Sequence, residues 1–218
     1  MARNPPKGSI TAGELIKQLN ADPNWVAMRQ IKDAEIAAIG ERRRAASAGL
    51  ERELKEAGIE MKEFRYLKDR PGNYKLGIPI LIRHMRMNHY DEPERNSMAQ
   101  AIAMKEANPY WNELLAMFLA VVDKEEHYSF KQGLAVALAA SYKAPQLETL
   151  MSLCENTAYG TTRLLLVEGL KRSRDPRAEV TLMRLCEDPI IGKGLTKWMK
   201  SREKRRNLEG RNNVAAFN

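Results

Sequence analysis

The chain has 218 residues, which is enough for one domain with a buried core. Apolar residues make up 44% of it and charged residues 29%, a balance that excludes a wholly disordered chain, and 36 Lys and Arg against 28 Asp and Glu favour an acidic partner. The first residues lack the apolar core of a signal peptide, and no apolar run is long enough to span a bilayer. We therefore expect a cytoplasmic protein with reduced cysteines and no membrane association.

Apolar residues recur with helical spacing almost throughout, and no segment has the alternating polarity of a strand, so we predict an all-α protein. Thr11 followed by Glu14 has the pattern of a capping box and predicts a short first helix. Asp22 before Pro23 predicts the start of a long second helix, mostly charged in its second half, that stops at Gly58.

Prolines separated by 30, 36 and 31 residues then precede apolar helical patterns, at Pro79, Pro109, Pro145 and Pro176. Two amphipathic patterns follow each proline, so we predict four helical hairpins. Self-similarity at this period is typical of solenoids, in which each hairpin buries its apolar face by stacking on its neighbours.

Two related segments, LMSLCENTAYG and LMRLCEDPIIG, place Cys154 and Cys186 32 residues apart, at equivalent positions of successive hairpins. Helix axes that pack together lie ~8–10 Å apart, whereas a disulfide needs Cα atoms within ~7 Å. The chain has no Cys-x-x-Cys motif, and its histidines lie in earlier hairpins. We therefore predict that both thiols are buried, unbonded and without a metal.

The hairpins resemble HEAT or HEAT-like repeats, which have a proline at the start of the first helix, a turn often carrying Asp, and a basic residue near the start of the second helix. The turn acids here are Asp91, Asp123 and Asp188, and the basic residues are Arg95, Lys131, Arg163 and Lys193. The resemblance implies a right-handed α-solenoid of about four hairpins over residues 76–202.

The helices before the hairpins, with the segment ADPNWVAMR, resemble those of uncharacterised bacterial HEAT-repeat proteins. We expect residues 1–75 to cap the apolar end of the solenoid. Residues 203–218 are basic and lack apolar periodicity, so we expect a disordered tail.

The sequence contains no recognisable catalytic, phosphate-binding or metal-binding motif, and we predict no catalytic site, cofactor or metal. In HEAT-like solenoids the second helices line the concave face, which implies a ladder of positive charge at Arg95, Lys131, Arg163 and Lys193. The alternative is a structural ladder in which these cations pair with turn acids such as Asp91 and Asp123. Further candidate binding residues near the C-terminal end are Lys197, Lys200, Arg202, Lys204, Arg205 and Arg206. They would either add affinity for nucleic acid or only keep the chain soluble.

We therefore expect a noncatalytic scaffold that presents a partly basic groove to an acidic protein segment or to nucleic acid, with a protein as the favoured partner. A monomer or a component of a hetero-complex is expected. The alternative function is suggested by HEAT-like glycosylases, which excise alkylated bases from DNA. The nearest residues for that chemistry are Trp111, Trp198, Asp123 and Arg163.

Overall fold

A computed structural model describes residues 10–69, 75–122 and 129–215. These ranges contain helices and turns and no β-strand, which confirms the all-α prediction. The α-helices are α1 Ala12–Ala21, α2 Pro23–Glu56, α3 Ile78–Met85, α4 Glu92–Ala101, α5 Trp111–Ala120, α6 Phe130–Ser141, α7 Leu147–Glu155, α8 Arg163–Arg172, α9 Pro176–Leu185 and α10 Gly192–Ala215.

Short 3-10 helices lie in the connections, at Phe64–Asp69, Lys75–Gly77, Lys105–Tyr110, Ala144–Gln146 and Thr157–Thr162. Within the described ranges, no helix is both long enough and apolar enough to cross a membrane.

The predicted helix starts of the N-terminal part are confirmed. The Thr11 hydroxyl accepts a hydrogen bond from the Glu14 backbone N–H, and the Glu14 carboxylate accepts one from the Thr11 N–H at 2.8 Å. The Asp22 carboxylate accepts the Asn24 N–H at 2.9 Å, next to the first residue of α2. These local bonds satisfy N–H groups that have no partner within the helix.

The chain divides into two compact units between Ala48 and Gly49, whereas the sequence predicted a boundary at residue 75. Leu50 and Leu54 of α2 are fully buried, and the 3-10 helix Phe64–Asp69 packs against α4. Residues 49–69 therefore belong to the core of the second unit.

In the second unit, helices that are neighbours in the chain pack against each other in pairs, and each such pair is called a hairpin below. α3 contacts α4, α5 contacts α6, and α7 contacts α8. α4 also packs against α6 and α6 against α8, and α9 contacts α7, α8 and α10. The core therefore lies between consecutive hairpins.

Glycine permits the closest of these helix contacts. A Cβ atom on Gly133 of α6 would stand 2.8 Å from the backbone oxygen of Asn96 in α4. A Cβ atom on Gly169 of α8 would stand 3.0 Å from the backbone oxygen of Ala139 in α6. Both interfaces between second helices thus depend on the absence of a side chain at one position.

The last helix differs from the sequence prediction. α10 continues to Ala215, through residues that were expected to form a disordered tail from position 203. The segment from Lys200 to Glu209 is rich in Lys, Arg, Glu and Leu, which favour helix, and it contains neither glycine nor proline. Lost apolar periodicity therefore did not mark the end of the helix.

Candidate functional site

Arg95, the first residue of the predicted ladder, is turned inward. Its Nε atom donates to the Met85 carbonyl oxygen at 2.8 Å, at the end of α3. Its guanidinium lies 4.0 Å from the centre of the Phe130 ring. Asp91, the proposed acidic neighbour, accepts the Glu94 N–H and caps α4. Arg95 therefore links the end of α3 to the start of α4.

Lys131 has an equivalent position in the second hairpin and is buried. Its ammonium donates to the Val121 carbonyl oxygen at 2.7 Å, just after α5. The same nitrogen lies 4.9 Å and 4.8 Å from the ring centres of Phe118 and Tyr159. The suggested acidic partner, Asp123, lies outside the described residues. Lys131 therefore satisfies a backbone carbonyl group at the end of α5 inside the core.

Arg163 is fully buried and forms a two-pronged ion pair with Asp188, which lies in the turn of the following hairpin. The two N–O distances are 2.6 and 3.2 Å, and Arg163 Nε also donates to the Gly160 carbonyl oxygen at 3.1 Å. Asp188 accepts the backbone N–H groups of Ile190 and Ile191 as well. The guanidinium holds the pKa of Asp188 at about 2, well below its ordinary value.

Three of the four ladder residues are therefore engaged inside the second unit, Arg163 by a turn acid and Arg95 and Lys131 by carbonyl oxygens. Arg95 and Lys131 bond to carbonyl oxygens at the end of a first helix, and Arg163 bonds to the next turn. Only Lys193 is exposed. A continuous ligand-facing ladder does not form at these positions.

The basic residues predicted near the C-terminal end separate into two groups. Four exposed lysines lie at intervals of four, three and four residues, which places them on one face of α10, and we call them the lysine stripe: Lys193, Lys197, Lys200 and Lys204. Arg202 is half-buried, pairs with Glu179 at 3.6 Å and lies 5.4 Å from the Trp198 ring centre. Arg205 is exposed, and the side chain of Arg206 lies outside the described part.

The residues suggested for base excision do not form a common site among the described ranges. Trp111 is 2% exposed, and its indole N–H donates to the Leu138 carbonyl oxygen at 3.2 Å. Arg163 is engaged by Asp188, and Trp198 is half-buried on α10. Asp123, the acidic candidate, is again outside the described residues.

A basic cleft of about 550 Å³ lies where α6 and α8 end and the next first helices begin. Four exposed cations line it, and we call the site the basic cleft: Lys105, Lys143, Arg172 and Arg174. Its apolar lining comes from Ala139, Ala140, Ala144 and Leu147. The cations belong to three successive junctions between hairpins, so the stacking of the hairpins brings them together.

Backbone groups around the basic cleft are held in fixed positions. Asn108 donates to the Ser141 carbonyl oxygen at 2.9 Å, and the Tyr142 hydroxyl donates to the Gly169 carbonyl oxygen at 3.2 Å. Arg172 donates to the Ala139 carbonyl oxygen at 2.9 Å. Arg172 therefore places part of the positive charge at the carbonyl end of α6.

The other cations of the basic cleft are compensated less directly: Glu106, next to Lys105, is paired with Lys75 at 3.4 Å. Asp175 is the acidic group of the lining, and it pairs with Arg177 at 2.9 Å; this bond lowers the pKa of the Asp175 carboxyl. Among the described side chains, none forms an ion pair with Lys105, Lys143 or Arg174. The cleft therefore attracts anions.

Sequence reasoning missed the basic cleft because it examined cations at the starts of second helices. The relevant cations precede the prolines of first helices: Lys105 lies four residues before Pro109, and Lys143 lies two residues before Pro145. Arg174 lies two residues before a proline in the same way. A search for basic residues a few positions before each proline would have identified these cations.

The cysteines do not form a reactive pair. Cys154 is fully buried in α7, and burial raises the pKa of its thiol. Cys186 follows the last residue of α9 and is half-buried, so the prediction that it is buried is wrong; its thiol donates to the Leu182 carbonyl oxygen at 3.3 Å. Neither is in a disulfide, and the described residues include no cluster of three or more metal-ligating side chains.

A second buried polar cluster lies between the end of α3 and the start of α4. His84 Nδ1 lies 2.6 Å from the Tyr90 hydroxyl, and His84 Nε2 lies 3.3 Å from a Glu53 carboxylate oxygen. Burial lowers the pKa of His84 and raises that of Tyr90 to about 12. Because both rings are buried, this cluster stabilises the turn and is closed to a substrate.

Comparison of the chain with protein-family models, with curated proteins and with solved structures found no match.

Proposed function

We propose that this protein is a noncatalytic, right-handed α-solenoid of HEAT-like hairpins that binds an acidic segment of another protein in the basic cleft. The architecture is supported by the order of packing, α4 on α6 and α6 on α8, with α9 packed against α7 and α8. The proline, turn-acid and basic-residue pattern of the hairpins supports the HEAT-like assignment.

The observation that carries the proposed function is the composition of the basic cleft. Lys105, Lys143 and Arg174 surround an apolar lining and form no ion pair among the described residues. Carboxylates of a bound segment would form charge-assisted hydrogen bonds with these cations. An apolar side chain of the same segment would pack on the half-buried Ala140 and the exposed Ala144, which adds affinity that salt does not screen.

A concave site with an apolar lining favours a peptide over a nucleic acid. Nucleic-acid binding depends on a row of phosphate contacts along the backbone, and an apolar lining adds nothing to those contacts. The lysine stripe of α10 is the surface that would suit such a row, so nucleic-acid binding there is the second candidate function. The glycosylase alternative has weaker support, because Trp111 and Arg163 are held in the core.

Fluorescence anisotropy of the full chain with two labelled probes tests the proposal. The probes are a peptide of alternating glutamate and leucine and a single-stranded oligonucleotide. A cleft variant combines Lys105→Glu, Lys143→Glu and Arg174→Glu, and a matched stripe variant combines Lys193→Glu, Lys197→Glu and Lys200→Glu, with the same change in net charge. We expect peptide binding to be lost in the cleft variant and retained in the stripe variant.

Equal loss of peptide binding in both variants would show that only net charge matters and would contradict the proposal. Binding of the oligonucleotide alone, lost in the stripe variant, would establish the second candidate function. Release of alkylated bases from duplex DNA by the unaltered chain would instead support the glycosylase alternative.

A further inference from the structure

An exposed cation lies two or four residues ahead of a proline in each of the junctions that precede α3, α5, α7 and α9. We call these four residues the cation row: Lys75, Lys105, Lys143 and Arg174. The basic cleft contains the last three of them, and Lys75 belongs to the junction before. The repetition of the hairpins therefore continues the basic cleft by one more cation.

Side chains connect each junction to the next one. Lys75 Nζ lies 3.4 Å from a carboxylate oxygen of Glu106, the residue that follows Lys105. The hydrogen bonds of Asn108 and Arg172 to backbone carbonyl oxygens, described above, connect the later junctions in the same way. The four cations therefore follow one another in chain order along one edge of the second unit.

The spacing of the junctions follows from the helices that lead into them. The 3-10 helix Phe64–Asp69 packs against α4, α4 packs against α6, and α6 packs against α8. Helices in direct contact have axes ~8–10 Å apart. Successive cations are therefore offset by about this distance, and the whole cation row extends over roughly 25–30 Å.

Glu106 shows that a carboxylate binds on this edge. Its side chain is exposed, pairs with Lys75 and lies next to Lys105 in the chain. Hydrogen bonds from its own backbone and from the Lys75 ammonium lower the pKa of the Glu106 carboxyl. Glu106 therefore occupies, within the chain itself, a position that a carboxylate of a bound segment would suit.

The spacing of the cation row fits a polyproline II segment. This conformation rises ~3.1 Å per residue with three residues per turn, so every third side chain lies on one face, ~9 Å from the next. Side chains on one face of a β-strand are only ~6.7 Å apart. An α-helix offers a similar spacing, ~10.5 Å, at every seventh residue, and it needs about twice as many residues to span the row.

We propose that the partner of the basic cleft is an extended acidic segment in the polyproline II conformation, with a carboxylate at every third residue, that lies along the cation row between Lys75 and Arg174. This inference rests on the proposed function, because it specifies the acidic segment that the basic cleft would bind. Lys75 exchanges Glu106 for a carboxylate of the segment, since an exposed ion pair is weak.

Peptides bound to the full chain test the spacing by fluorescence anisotropy. A regular peptide has four Glu-Pro-Pro units, and its outer glutamates lie ~28 Å apart. A rearranged peptide of the same composition has four successive glutamates followed by eight prolines, and a helical peptide has glutamate at every seventh residue. We expect the regular peptide to bind several-fold more tightly than either, because it can pair with all four cations at once.

Glu106→Gln tests whether the row includes Lys75. Loss of the Glu106 carboxylate frees Lys75, so the regular peptide should bind up to about fivefold more tightly, the effect of one exposed ion pair. Glu113→Gln is the matched control with the same change in net charge: Glu113 is 43% exposed against 40% for Glu106, and it pairs with Arg86, which is not in the row. Circular dichroism would verify that both variants keep their helix content.

The outcomes separate this proposal from the function on which it rests. Equal binding of the regular and rearranged peptides, or tighter binding of the helical one, would overturn the proposal and leave the binding of acidic segments in place. Equal effects of Glu106→Gln and Glu113→Gln would remove Lys75 from the row and would also overturn it. If neither these peptides nor the glutamate–leucine peptide binds, the proposed function itself fails.

Discussion

Arg95, Lys131 and Arg163, at the starts of second helices, show how a residue that the sequence suggests for binding can instead stabilise the fold. Arg163 could be seen in the sequence, but its burial depends on Asp188, which belongs to the next hairpin. Arg95 and Lys131 likewise depend on carbonyl oxygens at the ends of α3 and α5. The periodicity of the sequence predicts where these residues lie in each hairpin, but the orientation of their side chains depends on the packing of the helices.

Replacing Arg163 with methionine should destabilise the protein strongly. The half-buried Asp188 would lose its cation, which costs about 1–3 kcal/mol of unfolding free energy. Arg184→Ala is the control, because its ion pair with Glu155 is exposed and is worth less than about 1 kcal/mol. Urea unfolding would measure the unfolding free energy of both variants. Partial recovery of stability is expected on adding Asp188→Asn to Arg163→Met, because asparagine removes the unpaired charge and keeps the oxygen that accepts the Ile190 and Ile191 N–H groups. A loss in Arg163→Met no larger than in the control would contradict this role.

The ion pair between Arg163 and Asp188 also predicts how the stability of the protein changes in acid. The pKa of Asp188 is about 2 in the folded chain and about 4 in an unfolded one, so folding favours its charged form. The stabilisation is complete above about pH 4 and is lost as the pH falls from about 4 to about 2. Unfolding free energies measured across this range should fall more steeply for the unaltered chain than for Arg163→Met. Parallel curves would show that the pair does not lower the pKa of Asp188.

Helices and their caps are the elements that the sequence predicts well, because their determinants are local. The capping boxes at Thr11 and Asp91 and the start of α2 after Asp22 each involve residues within a few positions of one another. The spacing of the second helices was not predictable in the same way. It depends on Gly133 and Gly169, whose neighbours lie some 30 residues earlier in the chain.

Gly133→Ala should loosen the contact between α4 and α6. The added Cβ would stand 2.6 Å from the Asn96 side-chain oxygen and 2.9 Å from the Ala99 Cβ, so the helices must move apart. Overpacking of this kind costs about 1–3 kcal/mol. Gly194→Ala is the control: it lies in α10 with no atom within 4 Å, and alanine there should be neutral or stabilising by up to about 1 kcal/mol. A lower melting temperature for Gly194→Ala than for Gly133→Ala would contradict this account.

For the whole molecule, the sequence predicts hairpins in series but not the surfaces that the hairpins create. Lys105, Lys143 and Arg174 are each unremarkable in isolation and are brought to one cleft by the packing of three junctions. The lysine stripe, by contrast, lies within one helix and its residues were selected from the sequence. Sites built from several hairpins require knowledge of the packing, whereas sites on one element follow from its periodicity.

Hydrogen exchange of the full chain, with and without the acidic glutamate–leucine peptide, tests the central claim most directly. If the peptide binds in the basic cleft, amide exchange should slow in residues 139–147 and 172–175, which line it, and remain unchanged in α10. The protection should decrease as salt is added, because the cations that hold the peptide are exposed. Protection confined to α10, or no protection of the cleft at saturating peptide, would contradict the account.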